Sequence, residues 1–237
     1  MSLDERSQMA IYHLMNRGVI AKLQQPVRQG KEGLVLHALG PDGKELAVKV
    51  HTSKVFGERE RKQYLFGDWR YRHAKRHITL RTEAINSEKE FRNLSRLEKA
   101  GVPGPHPVSF FENIVVMGFL GENGVAASSL NTTEHVDYES IAEKIFQAIR
   151  GLVLEAGLVH GDLSPYNILV WKKDPYIIDL SQAVLTTHPA STRLLERDME
   201  KVEAFFSARG IDTEPFHELS QDLSEKVRSS EQPEPDS

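Results

Sequence analysis

Three polar side chains in a fixed order could do chemistry in this chain. Asp162 and Asn167 lie five apart in Leu158-Val159-His160-Gly161-Asp162-Leu163-Ser164-Pro165-Tyr166-Asn167-Ile168-Leu169-Val170, and Asp179 ends the apolar run Pro175-Tyr176-Ile177-Ile178. That order offers a base for a hydroxyl proton and then two oxygen ligands for a metal, the arrangement of Mg²⁺-assisted phosphoryl transfer. Mg²⁺ is a hard ion that shares its shell with substrate phosphates, so Asn and Asp suit it better than His or Cys. Each residue alone would serve equally well as an Asx-turn residue between buried strands. The ordered set, with a lysine upstream, points to phosphotransfer.

The upstream lysine is Lys49, in the strand-like run Leu46-Ala47-Val48-Lys49-Val50. A buried lysine needs an anion, because an unpaired charge inside costs several kcal/mol. Nucleotide phosphates and a carboxylate from the next helix are the expected partners. Glu83, Glu88 and Glu90 are candidates, and Glu90, one step from Phe91 on the apolar stripe, is preferred. Ser87-Glu88-Lys89-Glu90 equally fits a capping box, which would spend Glu90 on the helix start. One hairpin before Lys49, the loop Gln29-Gly30-Lys31-Glu32-Gly33 stands where a nucleotide lid belongs, and Gly30 and Gly33 would let backbone N–H groups approach phosphates. Met117 and the backbone of Gly118 and Leu120 are expected to meet an adenine, with Leu169 and Ile178 packed below it. Core packing would explain the same apolar residues.

These residues need strands and helices to hold them. Apolar spacing predicts a helix over Ser7–Arg17, strands through Pro26–Ala38 and Leu46–Val50, a helix over Ser87–Ala100 and a hairpin over Val108–Met117. Further helices are predicted over Tyr138–Ala156 and Thr192–Arg209. The domain reading is an N-terminal helix to 18, an N-lobe over 19–117, a C-lobe over 118–219 joined through Gly118–Gly124, and a structureless acidic tail over 220–237. The 237 residues carry a net charge of −4 and no cysteine. This excludes disulfides, thiolate metal sites and a cysteine nucleophile, and gives no global signature of a nucleic-acid binder. No apolar run approaches the roughly 20 residues that span a bilayer, and the N-terminus lacks a signal-peptide core. A cytoplasmic location without membrane partners is the expectation.

Between Lys54 and Arg81 the pattern changes. From Arg59 to Arg81 there are eight Lys/Arg against two acids, Glu60 and Asp68, interleaved with Tyr64, Phe66, Trp69 and Tyr71. A solvated mobile loop would account for this run. The functional reading is a docking surface for a polyanion, with Arg70, Arg72, Lys75 and Arg76 on phosphates and the aromatics available for stacking.

With these pieces placed, the chain resembles the RIO family of atypical serine kinases, most closely its first, Rio1-type branch. The resemblance runs through Gly30-Lys31-Glu32, Ala47-Val48-Lys49, Glu88-Lys89-Glu90-Phe91-Arg92-Asn93-Leu94, the Leu158–Ser164 stretch, Tyr166-Asn167, Ile177-Ile178-Asp179-Leu180-Ser181-Gln182-Ala183-Val184, His188-Pro189 and Glu196-Arg197-Asp198. Ser164 stands where ordinary protein kinases place lysine. No winged-helix domain fits before Gly18, which points away from the second branch. The resemblance implies an α+β, two-lobed kinase-like fold: an antiparallel-sheet N-lobe, a mobile insert after the lysine strand, and a helical C-lobe without the peptide-binding subdomain. It implies ATP with Mg²⁺, or Mn²⁺ in its place. Lys49 would bind phosphate, Asp162 would be the base, and Asn167 and Asp179 would hold the metal. Gly30, Lys31, Glu32, Glu90, Met117, Gly118, Leu120, Ser164 and Leu169 would line the nucleotide. Serine autophosphorylation, an aspartyl-phosphate ATPase switch at Asp179 and a role in small-ribosomal-subunit maturation are further implications. Two positions depart from the pattern: Gly118 replaces a usual acidic residue and Pro165 a usual Glu.

Two rivals share these motifs. An aminoglycoside- or choline-type small-molecule kinase would need more chain after Ala183 to build its substrate pocket. An ATP-gated assembly factor docking on pre-ribosomal RNA would use the same residues as a kinase.

Overall fold

The computed structural model describes residues 3–30, 33–52, 68, 70–71 and 82–231. They fall into two compact units, one formed by residues 3–52, 82–95 and 105–127 and the other by 68, 70–71, 96–104 and 128–231.

The first unit is built on a five-stranded antiparallel sheet in the order β1-β2-β3-β5-β4. Its strands are β1 (Lys22–Gln29), β2 (Gly33–Leu39), β3 (Glu45–His51), β4 (Pro107–Phe111) and β5 (Ile114–Gly118). Pro26 lies in β1 between two register shifts, on the edge strand where a missing N–H is tolerated. Helix α1 (Glu5–Asn16) starts where Asp4 accepts the Ser7 N–H at 2.7 Å and ends before Gly18, whose φ of +70° suits glycine. Its Ala10, Ile11 and Leu14 share a core with Leu46, Val48 and Val50 of β3 and with Ile114 and Val116 of β5. Side chains alternate along a strand, so Ala47, Lys49 and His51 occupy the other face of β3. Helix α2 (Thr82–Lys99) begins five residues before the predicted Ser87. Ser87 is inside the helix, donating its hydroxyl to the Glu83 and Glu112 carbonyls, and is not a cap. The first unit extends through the small hairpin β6 (Gly121–Glu122) and β7 (Val125–Ala126), beyond the boundary expected at 117.

In the second unit, α3 (Tyr138–Leu154) is capped by Asp137 and buries Ile141, Ile145, Ile149 and Leu152. The short strand β9 (Leu158–Val159) pairs with β12 (Val184–Leu185). Hairpin β10 (Ile168–Trp171) and β11 (Asp174–Ile177) pairs further with β8 (Ser128–Ser129). A 3₁₀ turn, Pro165–Asn167, leads into β10. Helices α4 (Ser191–Ser207) and α5 (Glu214–Ser230) complete the unit.

Helix α5 corrects the expectation of a structureless stretch from 220. Phe216, Leu219, Leu223 and Val227 are buried at helical spacing, and Phe216 stacks on Phe206 of α4 at 5.4 Å. Residues 232–237 lie outside the described residues, as do Lys31, Glu32 and all of the basic segment except Asp68, Arg70 and Tyr71.

Candidate active site

Lys49 occupies the middle strand of the sheet, paired in register with Val35 on one side and Val115 on the other. Its Nζ is 2.8 Å from Glu90 Oε1, with side-chain exposures of 9% and 1%. The other Glu90 oxygen, Oε2, is 2.8 Å from His51 Nε2. The geometry therefore decides between the two readings of Glu90: it faces the lysine and does not cap its helix. His51 was not singled out from the sequence, although its position two residues after Lys49 puts it on the same strand face. Val115 and Met117 alternate with the core residues Ile114 and Val116, so Met117 also lies on the Lys49 face.

The glycine loop is positioned by its own hairpin. The Gly30 N–H donates to Gly33 O at 3.0 Å, so this donor closes the turn. Gly33 is required by close approach: a Cβ there would lie 2.2 Å from the Val50 carbonyl oxygen. Around the expected adenine contacts, the Gly118 N–H donates to His106 O at 2.8 Å, and Leu120 O accepts from the Ala127 N–H at 2.8 Å.

The second unit holds the other three residues at the base of the β10–β11 hairpin, Asp162 and Asn167 before it and Asp179 after it. Gly161 has φ +78°, and a Cβ on it would come within 3.2 Å of Gln182 O. His160 is buried; its Nδ1 accepts the Asp162 N–H at 3.3 Å while Nε2 faces Ile178 O at 3.0 Å. That pair of contacts assigns the neutral tautomer with the proton on Nε2. The Asn167 amide nitrogen donates to Asp162 O at 2.9 Å, and Asn167 O accepts from the Ile178 N–H at 3.0 Å. Residues 162, 167 and 178 are thus fastened to one another. Asp179 follows with φ +62°, a left-handed conformation that Asp tolerates better than most residues. The Ser181 hydroxyl donates to Asp179 Oδ1 at 2.7 Å. The Ser164 carbonyl accepts the Asn167 N–H, and Leu169 is half-buried in β10 opposite Tyr176.

Helix α4 holds the loop from the other side. Asp198 accepts the Gly161 N–H at 2.7 Å and the Leu163 N–H at 2.9 Å, one carboxylate oxygen each. Burial pushes the Asp198 carboxyl above the ordinary Asp value, against the opposing pull of the two N–H donors and Lys201. The Arg197 guanidinium donates to Gly161 O, and Lys201 Nζ donates to Asp162 Oδ1 at 2.9 Å. Asp198 entered the sequence reading only as part of a matching string. Its role depends on contacts 35 and 37 residues away, which no local signal carries.

The donor set fits Mg²⁺. Using its NH₂ on Asp162 O fixes which way the Asn167 amide faces, leaving its oxygen as the acceptor, and the Ser181 hydroxyl orients the Asp179 carboxylate. Two oxygens completed by phosphates and water is the usual way this ion is bound, without an all-protein cage. Among the described residues, no group of three His, Cys, Asp or Glu could hold a metal ion by itself.

A RIO-domain family model matches residues 34–219. The chain belongs to the RIO family. Among RIO relatives, the serine/threonine-protein kinase rio1 of Dictyostelium discoideum is 36% identical over 220 residues, covering 92% of this chain and 38% of its own. The RIO-type serine/threonine-protein kinase Rio1 of Haloferax volcanii is 35% identical, covering 89% of this chain and 72% of its own. The chain spans less than half the length of the Dictyostelium relative and of the Caenorhabditis elegans RIO1, of which it covers 46%. The Rio2 kinase structure from Chaetomium thermophilum shares the fold with a TM-score of 0.67 at 20% identity, covering 98% of this chain and 69% of that one. A second structure of that kinase, with ADP, Mg²⁺ and phosphoaspartate, gives a TM-score of 0.63. The kinase-like α+β fold and the Rio1-type resemblance are thereby established, which leaves the small-molecule-kinase rival without support. Among the described residues, no helix is long and apolar enough to cross a membrane.

Proposed function

We propose that this chain is an ATP-dependent phosphotransferase of the RIO type, acting on a serine or threonine hydroxyl and on itself. The observation that carries the reading is the fastening of Asp162 to Asn167 and of Asn167 to Ile178, the residue before Asp179, with the Asn167 amide oriented by the Asp162 carbonyl and the Asp179 carboxylate by Ser181. Asp162 is the base. Its side chain is 45% exposed, which lets a substrate hydroxyl reach it. That hydroxyl oxygen forms a bond to the γ-phosphorus, the bond from this phosphorus to the bridging oxygen breaks with its electron pair leaving on ADP, and the proton passes to Asp162. Asn167 and Asp179 would hold Mg²⁺, or Mn²⁺ in its place, which supplies charge neutralisation on the phosphate oxygens. Lys49, oriented by Glu90, would hold phosphate.

A second reading of the same site is an ATPase switch. The Rio2 structure with ADP, Mg²⁺ and phosphoaspartate supports it. Here an Asp179 oxygen would take the phosphoryl group from ATP, releasing ADP, and water would later hydrolyse the acyl phosphate. The setting implied by the family resemblance is small-ribosomal-subunit maturation in the cytoplasm, with the basic segment on RNA. Arg70 is not part of that surface: its guanidinium makes a two-pronged pair with Asp68, at 2.6 Å and 2.9 Å, with side-chain exposures of 7% and 0%. Arg72, Lys75 and Arg76 remain as its cations, outside the described residues.

Calorimetric titration with ATP tests the reading. Binding should require Mg²⁺, and Asp179→Asn should lose most of the Mg²⁺ enhancement. ATP binding indifferent to both Mg²⁺ and Asp179 would overturn it.

A further inference from the structure

Ser164 occupies the position, two residues after the base, that carries lysine in ordinary protein kinases. The loop of this chain therefore lacks a cation beside its base in sequence. The structure supplies one from another element. Lys201, on α4, places Nζ 2.9 Å from Asp162 Oδ1.

The contact belongs to a pattern. Arg197, Asp198 and Lys201 are spaced i, i+1 and i+4, so they share one helix face. Arg197 holds the Gly161 carbonyl, Asp198 holds the Gly161 and Leu163 N–H groups, and Lys201 holds the carboxylate of the residue between them. One helix face thus fixes three consecutive residues of the loop, backbone on either side and side chain in the middle.

We propose that Lys201 is a positioning residue for the base Asp162, standing in for the lysine that Ser164 replaces. This rests on the phosphotransferase reading above. An Asp side chain turns about a broad, roughly two-fold χ2 torsion, and Asp162 is too exposed for packing to select one orientation. The lysine ammonium has three N–H donors and no acceptor. With one of them on Oδ1, the carboxylate plane is set and Oδ2 is left to accept the hydroxyl proton as the oxygen–phosphorus bond forms and the bond to ADP breaks. Productive geometry is steeply rewarded in such a step, a misplacement of about 1 Å costing on the order of 10²-fold. The pair is half-exposed, so its contribution to folding is small, in the range of surface ion pairs.

The test uses the full chain with ATP, Mg²⁺ and γ-labelled phosphate, reading autophosphorylation and ADP release. Lys201→Ala should lower kcat by about 10- to 100-fold, with KM for ATP and the thermal midpoint nearly unchanged. Lys201→Arg should recover part of the rate, and so should Ser164→Lys placed in the Lys201→Ala chain, which returns a cation to the loop itself. Wild-type kcat in Lys201→Ala overturns the proposal. So does a loss that tracks thermal stability or KM, or one that neither Arg nor Ser164→Lys relieves. A wild-type chain that binds Mg-ATP but turns nothing over overturns the phosphotransferase reading and the role of Lys201 with it, and is recognised before any variant is compared.

Discussion

Lys49 Nζ meets Glu90 Oε1 at 2.8 Å across 41 residues of sequence, and both groups are buried. Glu90 also takes His51 on its second oxygen, so one carboxylate satisfies two polar groups on the same face of the middle strand. Glu90→Ala should therefore destabilise the protein by about 3–5 kcal/mol, the usual consequence of removing one member of a buried pair. Urea unfolding measures this. A change below about 1 kcal/mol would mean that Lys49 and His51 find water or new partners when Glu90 is gone.

Asp198 gives a pH-dependent prediction. Its carboxyl is raised above the ordinary value of 3.8, chiefly by burial. The folded state thus holds this proton more tightly than the unfolded chain, and the associated stability is present below pH 3.8 and lost as pH rises through the folded-state value. Asp198→Asn lacks this titration and leaves one backbone N–H facing an amide NH₂, so it should be less stable than wild type. Its deficit should narrow as pH rises from 4 toward neutrality. Urea midpoints for the two proteins across that range provide the check, and a deficit that widens would reverse the sign assigned to Asp198.

Arg70 should behave unlike its basic neighbours. Removing it strands the fully buried Asp68 carboxylate, so Arg70→Ala should cost about 3–5 kcal/mol in unfolding experiments. Neutralising Arg72, Lys75 and Arg76 together should leave stability and ATP affinity intact. If the segment grips RNA, these three changes should flatten the salt dependence of RNA affinity by roughly 2–3 in the log–log slope. RNA binding indifferent to them would place the docking surface elsewhere.

The sequence was most readable where structure is local. Asp162, Asn167 and Asp179 lie in a short stretch whose own hydrogen bonds link 162 to 167 and 167 to 178, so their order already implied their grouping. The helices α1, α3 and α4 followed from apolar spacing for the same reason. Glu90 stayed ambiguous because a capping box and a lysine partner look alike in sequence; the earlier start of α2 at Thr82 and the contact with Lys49 separate them. Asp198, Lys201 and His51 went unassigned because each acts on a residue brought close by tertiary folding or by a strand face. Helix α5 had a readable signal, Pro215 in its first turn followed by Phe216, Leu219, Leu223 and Val227, which the charged and acidic composition of the chain end obscured.

Transfer of labelled γ-phosphate by wild type and by Asp162→Ala, at matched Mg²⁺ and ATP, is the most direct measurement of what this loop does. The wild-type chain should label itself on serine or threonine, or transiently on Asp179, in a Mg²⁺-dependent manner. Asp162→Ala should bind ATP as wild type does, keep its thermal midpoint, and transfer phosphate to hydroxyl groups about 10²–10⁴ times more slowly. Equal rates in the two proteins, with equal ATP binding, would make Asp162 a turn residue and contradict its role as the base.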